Sequence, residues 1–503
     1  MKILQKLILV TVLTIIVSCQ KDNEPNLPPV NTSVNFQHKT TINVGDEGAS
    51  EITAFDKTSK KLFTVNVESN EISINNISDL NAPIKETSIN LDAYGSPNSV
   101  AVFDGKLAVA VENHVKQNLG KILVFSTSDN SLLNEYTVGA LPDMVTFSPD
   151  GKTIVSANEG EPSDDYTNDP EGSVSIINLE NNIVTTLDFT AFNDQEATLE
   201  SNGFRVFGPN ADLAKDVEPE YVAISEDSKT AWVSLQENNG IAKINLVTKS
   251  IDNIYPLGYK DYSLANNSID ASDKDDVTEL KNWPVKGIYM PDAIVYVKIN
   301  GVEYIISANE GDSRDYDGFS EEVRMDDLTL DETVFPAAND YLNKTNLGRL
   351  KTTTTLGDAN NDGKVEELFS YGARSFSIWS ANGSLVYDSG NSIATETLAL
   401  TPDRFNDGDK RSDDKGAEPE SVEILNLGNE RYILFVGLER NDQVLVYDIT
   451  NPTSPQFLQI LSHSGDEAPE GLLIIDAYDS PTGKDLLVVS NEDSGTITIY
   501  ENN

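Results

Sequence analysis

Seven times in 503 residues an apolar segment ends on a glutamate: Glu68, Glu112, Glu159, Glu237, Glu310, Glu439 and Glu492. Each lies inside a longer pattern. The fullest copy runs Leu141 to Phe147, then the turn Ser148-Pro149-Asp150-Gly151-Lys152, then Thr153 to Glu159, with another apolar stretch at Ser173 to Leu179. Alternating β-branched residues bounded by Pro-Asp-Gly signals specify short antiparallel strands joined by tight turns. A unit recurring at tens of residues cannot bury its apolar faces alone and must stack on copies of itself. Because each unit supplies three or four strands, a β-propeller suits the pattern better than a solenoid.

The other copies start near Glu51, Pro97, Pro219, Pro291, Pro419 and Pro469. Their unequal spacing places loop insertions near 188–215, 254–287 and 317–370. In the fifth unit, Ala373 to Trp379 and Ser384 to Asp388 read as the third and fourth strands displaced by an insertion. The last unit ends at Tyr500 without a fourth strand, while Asn35 to Val44 is an unassigned strand-like segment at the other end. The expectation is an all-β, seven-bladed propeller over 35–503, with the N-terminal strand closing the last blade and protecting its edge.

The first 34 residues carry different information. Lys2 and Lys6 precede an apolar run from Leu7 to Val17, which is short for a membrane span and reads as a secretory signal over 1–18. It ends Ile16-Val17-Ser18-Cys19, which resembles a bacterial lipobox, so Cys19 is expected to carry an acyl (palmitate) lipid and to anchor the chain in a membrane. The alternative is a buried thiol in an uncleaved signal. Residues 19–34 read as a flexible tether, and Gln20-Lys21-Asp22-Asn23-Glu24 resembles the export signal that Bacteroidetes-type bacteria place on surface lipoproteins. An outer-membrane lipoprotein displayed at the cell surface is therefore expected, with a periplasmic tether as the alternative. Cys19 is the only cysteine, so no internal disulfide can form.

Charge narrows the partners. With 82 acidic against 36 basic side chains the net charge is −46, which argues against nucleic acid, whose phosphates require a basic footprint. Many of these acids need be no more than a solvated surface. Their placement in the repeat is more specific. In an antiparallel meander the start of a first strand lies beside the end of the second. First-strand starts carry Glu51, Asp143, Glu220, Asp292, Glu420 and Glu470, with Asn98 in the second unit, and second-strand ends carry the seven glutamates. If innermost strands line the axis, one face gathers all of them. Like charges at that density raise one another's pKa or require a cation. Oxygen donors without thiolate or imidazole favour Ca2+, with Mg2+ the poorer fit because calcium tolerates irregular, high coordination.

Several loops on this face add donors. Glu159-Gly160-Glu161, followed by Asp164 and Asp165, is nearly copied by Glu310-Gly311-Asp312, followed by Arg314 and Asp315. Asp216-Val217-Glu218-Pro219-Glu220 and Lys415-Gly416-Ala417-Glu418-Pro419-Glu420 form a second pair. Arg314, Arg374, Arg411 and Lys415 are interspersed; they could hold a phosphate or acidic sugar, or they could serve as salt bridges that relieve the acids. In the third insertion, Asp358, Asn360 and Asp362 followed by Gly363 match the start of a calcium loop. Its twelfth position is Phe369, so Glu366 or Glu367 would have to supply the missing carboxylate; a plain polar turn is the alternative. His38, His114 and His463 are scattered singly, which sets zinc chemistry aside.

The runs ANEGEPSDDY, DVEPEYVAIS, PLGYKDYSLANNSIDASD, WPVKGIYMPDAI, SANEGDSRDY, GDANNDGKVEELFSYGARSFSIW and RSDDKGAEPESV resemble the choice-of-anchor I domain family, which includes mesenchyme-specific cell-surface glycoprotein-like proteins. The resemblance covers nearly the whole mature chain. It implies a β-propeller ectodomain held at the cell surface, without implying a biochemical activity. Family members often show DGDG where this chain has NNDG in the calcium-like loop. Three functions stay open. One is a calcium-ordered binding module for an extracellular glycan, peptide or phosphate-bearing ligand, the preferred reading. The others are a calcium-dependent phosphoric ester hydrolase resembling β-propeller phytases, and a structural protein whose metals only brace loops.

Overall fold

The turn chemistry shapes the chain locally. At the third repeat, Ser148 Oγ donates to Asp150 Oδ1 at 2.7 Å, Asp150 Oδ1 accepts from the Lys152 amide at 3.1 Å, and Gly151 takes a left-handed φ of 68°. Ser225 and Asp227 repeat the bond one unit later. Such side-chain bonds are local to the turn and favour the hairpin independently of tertiary contacts. In this computed structural model, which describes residues 33–503, they recur through an all-β chain. The signal-like run, Cys19 and most of the expected tether lie outside the described residues.

Among the described residues there are seven four-stranded antiparallel sheets, numbered I to VII here. Sheet I comprises Thr53–Asp56, Lys61–Asn66, Glu71–Asn76 and Ile84–Asn90. Sheet II holds Pro97–Phe103, Lys106–Val111, Leu119–Ser126 and Leu132–Ala140; sheet III holds Pro142–Phe147, Thr153–Asn158, Ser173–Asn178 and Ile183–Leu187. Sheet IV is formed by Pro219–Ile224, Thr230–Leu235, Gly240–Asn245 and Ser250–Pro256. Sheet V is interrupted in sequence: Ile294–Ile299 and Val302–Asn309 pair on to Ser375–Ser380 and Leu385–Asp388, near the bounds expected across the insertion. Sheet VI uses Pro419–Asn426, Tyr432–Leu438, Gln443–Asp448 and Gln456–Leu461. Sheet VII joins the two ends of the chain. Pro469–Ile475, Leu486–Asn491 and Thr496–Asn502 are completed by Phe36–Asn43, which pairs antiparallel from Phe36 opposite Asn502 to Asn43 opposite Thr496.

Burial explains why the middle strands read as continuous apolar runs. In Leu62 to Asn66 every residue is buried, because neighbouring sheets cover both faces, whereas the outer strand Ile84–Asn90 is exposed over its first half. Apolar cores join each sheet to the next. Phe63 and Ile74 of sheet I meet Val109 and Leu123 of sheet II, Ala110 and Ile122 meet Val145 and Ile154 of sheet III, and Val155 and Ile176 meet Val222 and Val233 of sheet IV. Trp232 then packs with Ile305 and Trp379 of sheet V, Ile306 and Phe376 with Leu434 of sheet VI, and Phe435 with Phe36 and Val489 of sheet VII. A last core returns from Val488 and Ile497 of sheet VII to Leu62 of sheet I.

The insertions are not independent loops. Phe189, Phe192, Leu199 and Leu213 of the first fill the core between sheets III and IV. The second and third share a separate core of Tyr262, Ile269, Met325, Leu330, Leu347 and Leu368, and Val285–Ile288 pairs in parallel with Leu368–Ser370. Among the described residues no helix is long and apolar enough to cross a membrane. One sequence reading is corrected by the fold. His38 and His463 do not stand singly: their rings stack with centroids 3.7 Å apart, because pairing of Phe36–Asn43 into sheet VII carries His38 to the loop after sheet VI.

Candidate metal centre

A recurring irregularity aims the acids. In five sheets the first strand opens on proline, which cannot donate a ladder hydrogen bond and is tolerated at a strand start. There Pro97, Pro142, Pro219, Pro419 and Pro469 lie opposite Val111, Asn158, Leu235, Leu438 and Asn491, and the register then slips before Ser99, Val145, Val222, Val422 and Gly471. Asn98, Asp143, Glu220, Glu420 and Glu470 occupy that slip. A bulge re-aims the side chain it contains. The partner acids are fixed from behind by buried asparagines. Asn158 Nδ2 donates to Ser173 and Ser175, Asn309 to Ser375 and Ser377, and Asn491 to Thr496, each tying the end of a second strand to the third. Gly160 and Gly311, at φ 77° and 93°, then turn the chain away immediately after Glu159 and Glu310; a Cβ on Gly311 would lie 2.2 Å from the Gly372 nitrogen.

The result is an acid-lined cavity. Two adjoining chambers, of about 430 and 390 Å³, share Asp143, Glu159, Asp292, Glu470 and Glu492 in their walls. The first adds Glu51, Glu112 and Glu161 beside Asn98, Lys116 and Tyr221; the second adds Glu220, Glu310, Asp312, Glu420 and Glu439 beside Lys415 and Arg440. All seven sheets contribute. Burial, reinforced by neighbouring carboxylates, pushes Glu51 up to about 8 and Asp143 up to about 7. The same causes carry Glu159, Glu220, Asp292, Glu420 and Glu470 well above the usual carboxylate range. Glu237 rises to about 7 through burial, with Arg314 opposing the rise.

At the cavity wall several carboxylates approach closely enough to share one ion, with Glu237 and Glu418 joining these sets without lining either chamber. Glu159, Glu220 and Glu237 offer oxygens within 4.8 Å of one another, as do Asp292, Glu310 and Glu420, and Glu310, Glu418 and Glu439. Glu237 is only 5% exposed and its Oε2 has no hydrogen-bond partner; Glu220 Oε2 and Glu420 Oε2 are likewise buried without one. A buried anionic oxygen lacking a donor is costly. Oxygen-only donors at this density match a hard cation.

The bases have definite partners. Arg314, 2% exposed, places Nη1 2.6 Å from Asp216 Oδ1 and Nη2 2.9 Å from Glu218 Oε1, and also donates to the Asp216 carbonyl. Arg374 donates to the carbonyls of Asp270, Ser412 and Asp414. Arg411 binds Asp414 and Glu418, and Lys415 Nζ lies 2.6 Å from Glu310 Oε1. Lys116 is the basic group beside the first chamber, 3.4 Å from Glu161; burial opposes its charge, but Glu161, Glu112 and Glu159 outweigh burial and raise its pKa.

Other acids singled out in the sequence lie elsewhere. Asp165 accepts from the hydroxyls of Ser163 and Thr167, the Asp164 carbonyl accepts from the Gly318 amide, and exposed Asp315 sits in a hairpin with Ser320. The two near-copied loops reach across sheet IV to each other: the rings of Tyr166 and Tyr316 meet edge to face, and Tyr316 Oη donates to Glu161. Glu68 accepts from the Asp46 amide and does not line the cavity. In the calcium-like loop, Asp358, Asp362 and Glu366 do converge within 4.8 Å. Asn360, by contrast, donates its amide to Glu366 Oε1. The proline-linked bulges and the buried asparagines were missed by sequence reasoning. The repeated Asn before Glu159, Glu310 and Glu492 was the available signal.

Comparison with known proteins agrees with this architecture. A 184-residue stretch is 32% identical to Gigasin-3a of Magallana gigas, covering 31% of this chain and 64% of that protein's length. Among solved structures, Kuenenia stuttgartiensis hydrazine synthase overlays 91% of this chain and 97% of its own with a TM-score of 0.52 at 12% identity, a likeness of fold alone. The Myceliophteria thermophila Cps50 (Swd1) β-propeller domain follows at a TM-score of 0.47, 8% identity and coverage of 93% and 100%, too distant to carry an argument. The model of the choice-of-anchor I domain matches residues 51–452, most of the chain, and the protein belongs to that family.

Proposed function

We propose that this chain is a surface-anchored lipoprotein whose seven sheets close into a seven-bladed β-propeller, and that its acid cavity binds calcium and, through calcium, an anionic extracellular ligand. The ring reading is supported by the succession of first strands. Each neighbours the next from sheet I to sheet VII, and Pro469–Ile475 neighbours Thr53–Asp56 in turn. Family membership points to the cell surface. Cys19 is the residue we assign to the anchor.

The observation that carries the metal reading is the partnerless, buried Oε2 of Glu237 among the acids Glu159 and Glu220. Calcium suits oxygen donors drawn from several strands better than magnesium, which demands near-ideal octahedral geometry. A ligand bearing carboxylate, sulfate or phosphate groups meets a cavity of like charge unless a cation intervenes. Calcium, with Lys116 beside it, supplies that positive charge. An acidic glycan, a carboxylate-rich peptide and a phosphate-bearing molecule all share that chemistry.

Elemental analysis of protein purified without chelator, with melting measured in calcium and in EDTA, tests the metal. We expect bound calcium and a melting temperature that falls on chelation; no bound calcium and an unchanged melting temperature would defeat the reading. Binding to an array of acidic and neutral glycans, run in calcium and in EDTA, tests the ligand. Protease shaving of intact cells, compared with a Cys19→Ala variant released from the membrane fraction, tests the anchor and its outward orientation.

A further inference from the structure

Two versions of one acid constellation meet at the cavity wall, and they differ in the bases that reach them. Glu159 and Glu310 each follow the second strand of their sheet and precede a left-handed glycine. Glu220 and Glu420 each follow the proline that opens the next sheet, at the same register slip. Glu218 and Glu418 precede those prolines, and Glu237 and Glu439 follow the second strands of sheets IV and VI. The outer glutamates are both held by arginine: Glu218 by Arg314, and Glu418 by Arg411 and Arg440.

One difference is Arg440, whose Nη2 lies 2.8 Å from Glu439 Oε1, whereas the counterpart Glu237 is followed by Asn238. The other lies three residues before Glu218 and Glu418, where both copies carry a lysine. Lys415 turns inward, 2.6 Å from Glu310 Oε1 and 3.5 Å from Glu418 Oε2. It is followed by Gly416, whose φ of 80° is a conformation that glycine adopts without strain. Lys215 instead lies in the short helix Leu213–Asp216 and turns outward to Asp169 at 3.1 Å. Among the described residues no lysine or arginine nitrogen lies within salt-bridge distance of Glu159, Glu220 or Glu237. The second observation is the Oε2 of Glu237, which is buried there without a donor.

We infer that the two constellations are filled by different cations: one divalent ion held by Glu159, Glu220 and Glu237, and the Lys415 ammonium in the place of a second ion at Glu310, Glu418 and Glu439, where Glu418 converges in place of Glu420, the counterpart of Glu220. This rests on the metal reading above and deepens it, since it fixes both the position and the number of ions in the cavity, Lys415 on Glu310 also standing in the third convergent set of Asp292, Glu310 and Glu420. Three carboxylates leave part of a calcium coordination sphere free for water or for an oxygen of the ligand. The ammonium at the twin position offers no such opening. Ligand binding is therefore one-sided, at sheets III and IV.

The test counts ions by equilibrium dialysis with calcium alone, in a background of Asp358→Asn and Asp362→Asn that silences the exposed loop. We expect one ion in that background, none after Glu237→Gln, and two after Lys415→Met, which removes the ammonium while retaining most of its volume. One ion persisting in Glu237→Gln, or a count that stays at one in a folded Lys415→Met, overturns the inference. If Lys415→Met does not fold, anomalous diffraction from Lys415-intact crystals soaked in barium decides. Density at sheets III and IV alone supports the inference, and density at both constellations or only at sheets V and VI overturns it. No ion anywhere in the cavity fails the metal reading itself, whereas ions bound equally at both constellations fail only this inference.

Discussion

The cavity and the loop at 358–366 are built from the same residue types and face opposite physical problems. In the loop, Asp358 accepts from the amides of Asp362 and Gly363, and Glu366 accepts from the Ala359 amide and the Asn360 side chain, all in contact with water. The loop satisfies its own charges. At the cavity, Glu159, Glu220 and Glu237 are drawn from three strand ends, the first two half-buried and Glu237 buried, and have neither a base within salt-bridge distance nor a full set of donors. A convergent acid cluster is therefore ambiguous by itself. What separates a demand for a cation from a self-contained turn is whether backbone amides have already supplied the positive ends of the dipoles.

That contrast can be broken most forcefully through the guanidinium that holds the cavity wall. Arg314→Ala leaves Asp216 and Glu218 buried without their counter-charge, and we expect a loss of about 3–5 kcal/mol in urea unfolding. Calcium comes next. At a concentration a hundredfold above its Kd it should stabilise the protein by about 2.7 kcal/mol, reversed by EDTA. Glu237→Gln should abolish most of that gain while stabilising the metal-free protein by on the order of 1 kcal/mol, because it removes a buried, partnerless charge. A gain in calcium equal to that of the wild type would place the ion elsewhere.

The pH dependence follows from the same acids. Glu51 is raised from 4.5 to about 8 by burial and by Glu492, Asp143 and Glu112, so the folded, metal-free protein binds more protons than the unfolded chain between those values. Its stability should be highest below about pH 4.5, as far as this group is concerned, and fall as pH rises through about 8. Calcium should flatten that slope, since it favours the charged carboxylates. Melting curves across this range, with calcium and with EDTA, measure both. The smallest effect should come from the loop: Asp358→Asn is expected to change unfolding free energy by no more than about 0.5 kcal/mol, with the calcium response of melting intact.

Much of this was legible in the repeat. Alternating apolar residues and Pro-Asp-Gly turns locate the strands, and the missing fourth strand after Tyr500 points to the N-terminal segment that does pair there. The acids at strand starts and ends were also legible, because two strands of a hairpin must bring those points together. The roles of the bases were not. Arg314 lies 98 residues from Asp216 in sequence, and only the docking of one acidic loop across sheet IV joins them. The histidines were misread for the same reason: nothing local relates His38 to His463.

The sequence by itself determined the strand units, their number, and the collection of acids at one end of each unit, because these follow from side-chain periodicity and short-range turn geometry. Tertiary structure decided which acids are neutralised. Lys215 and Lys415 occupy the same place in the motif, yet one faces Asp169 and the other Glu310, because a short helix follows one course and a left-handed glycine the other. Charge compensation depends on distances of a few ångströms between segments remote in the chain, and only the packed fold sets those distances.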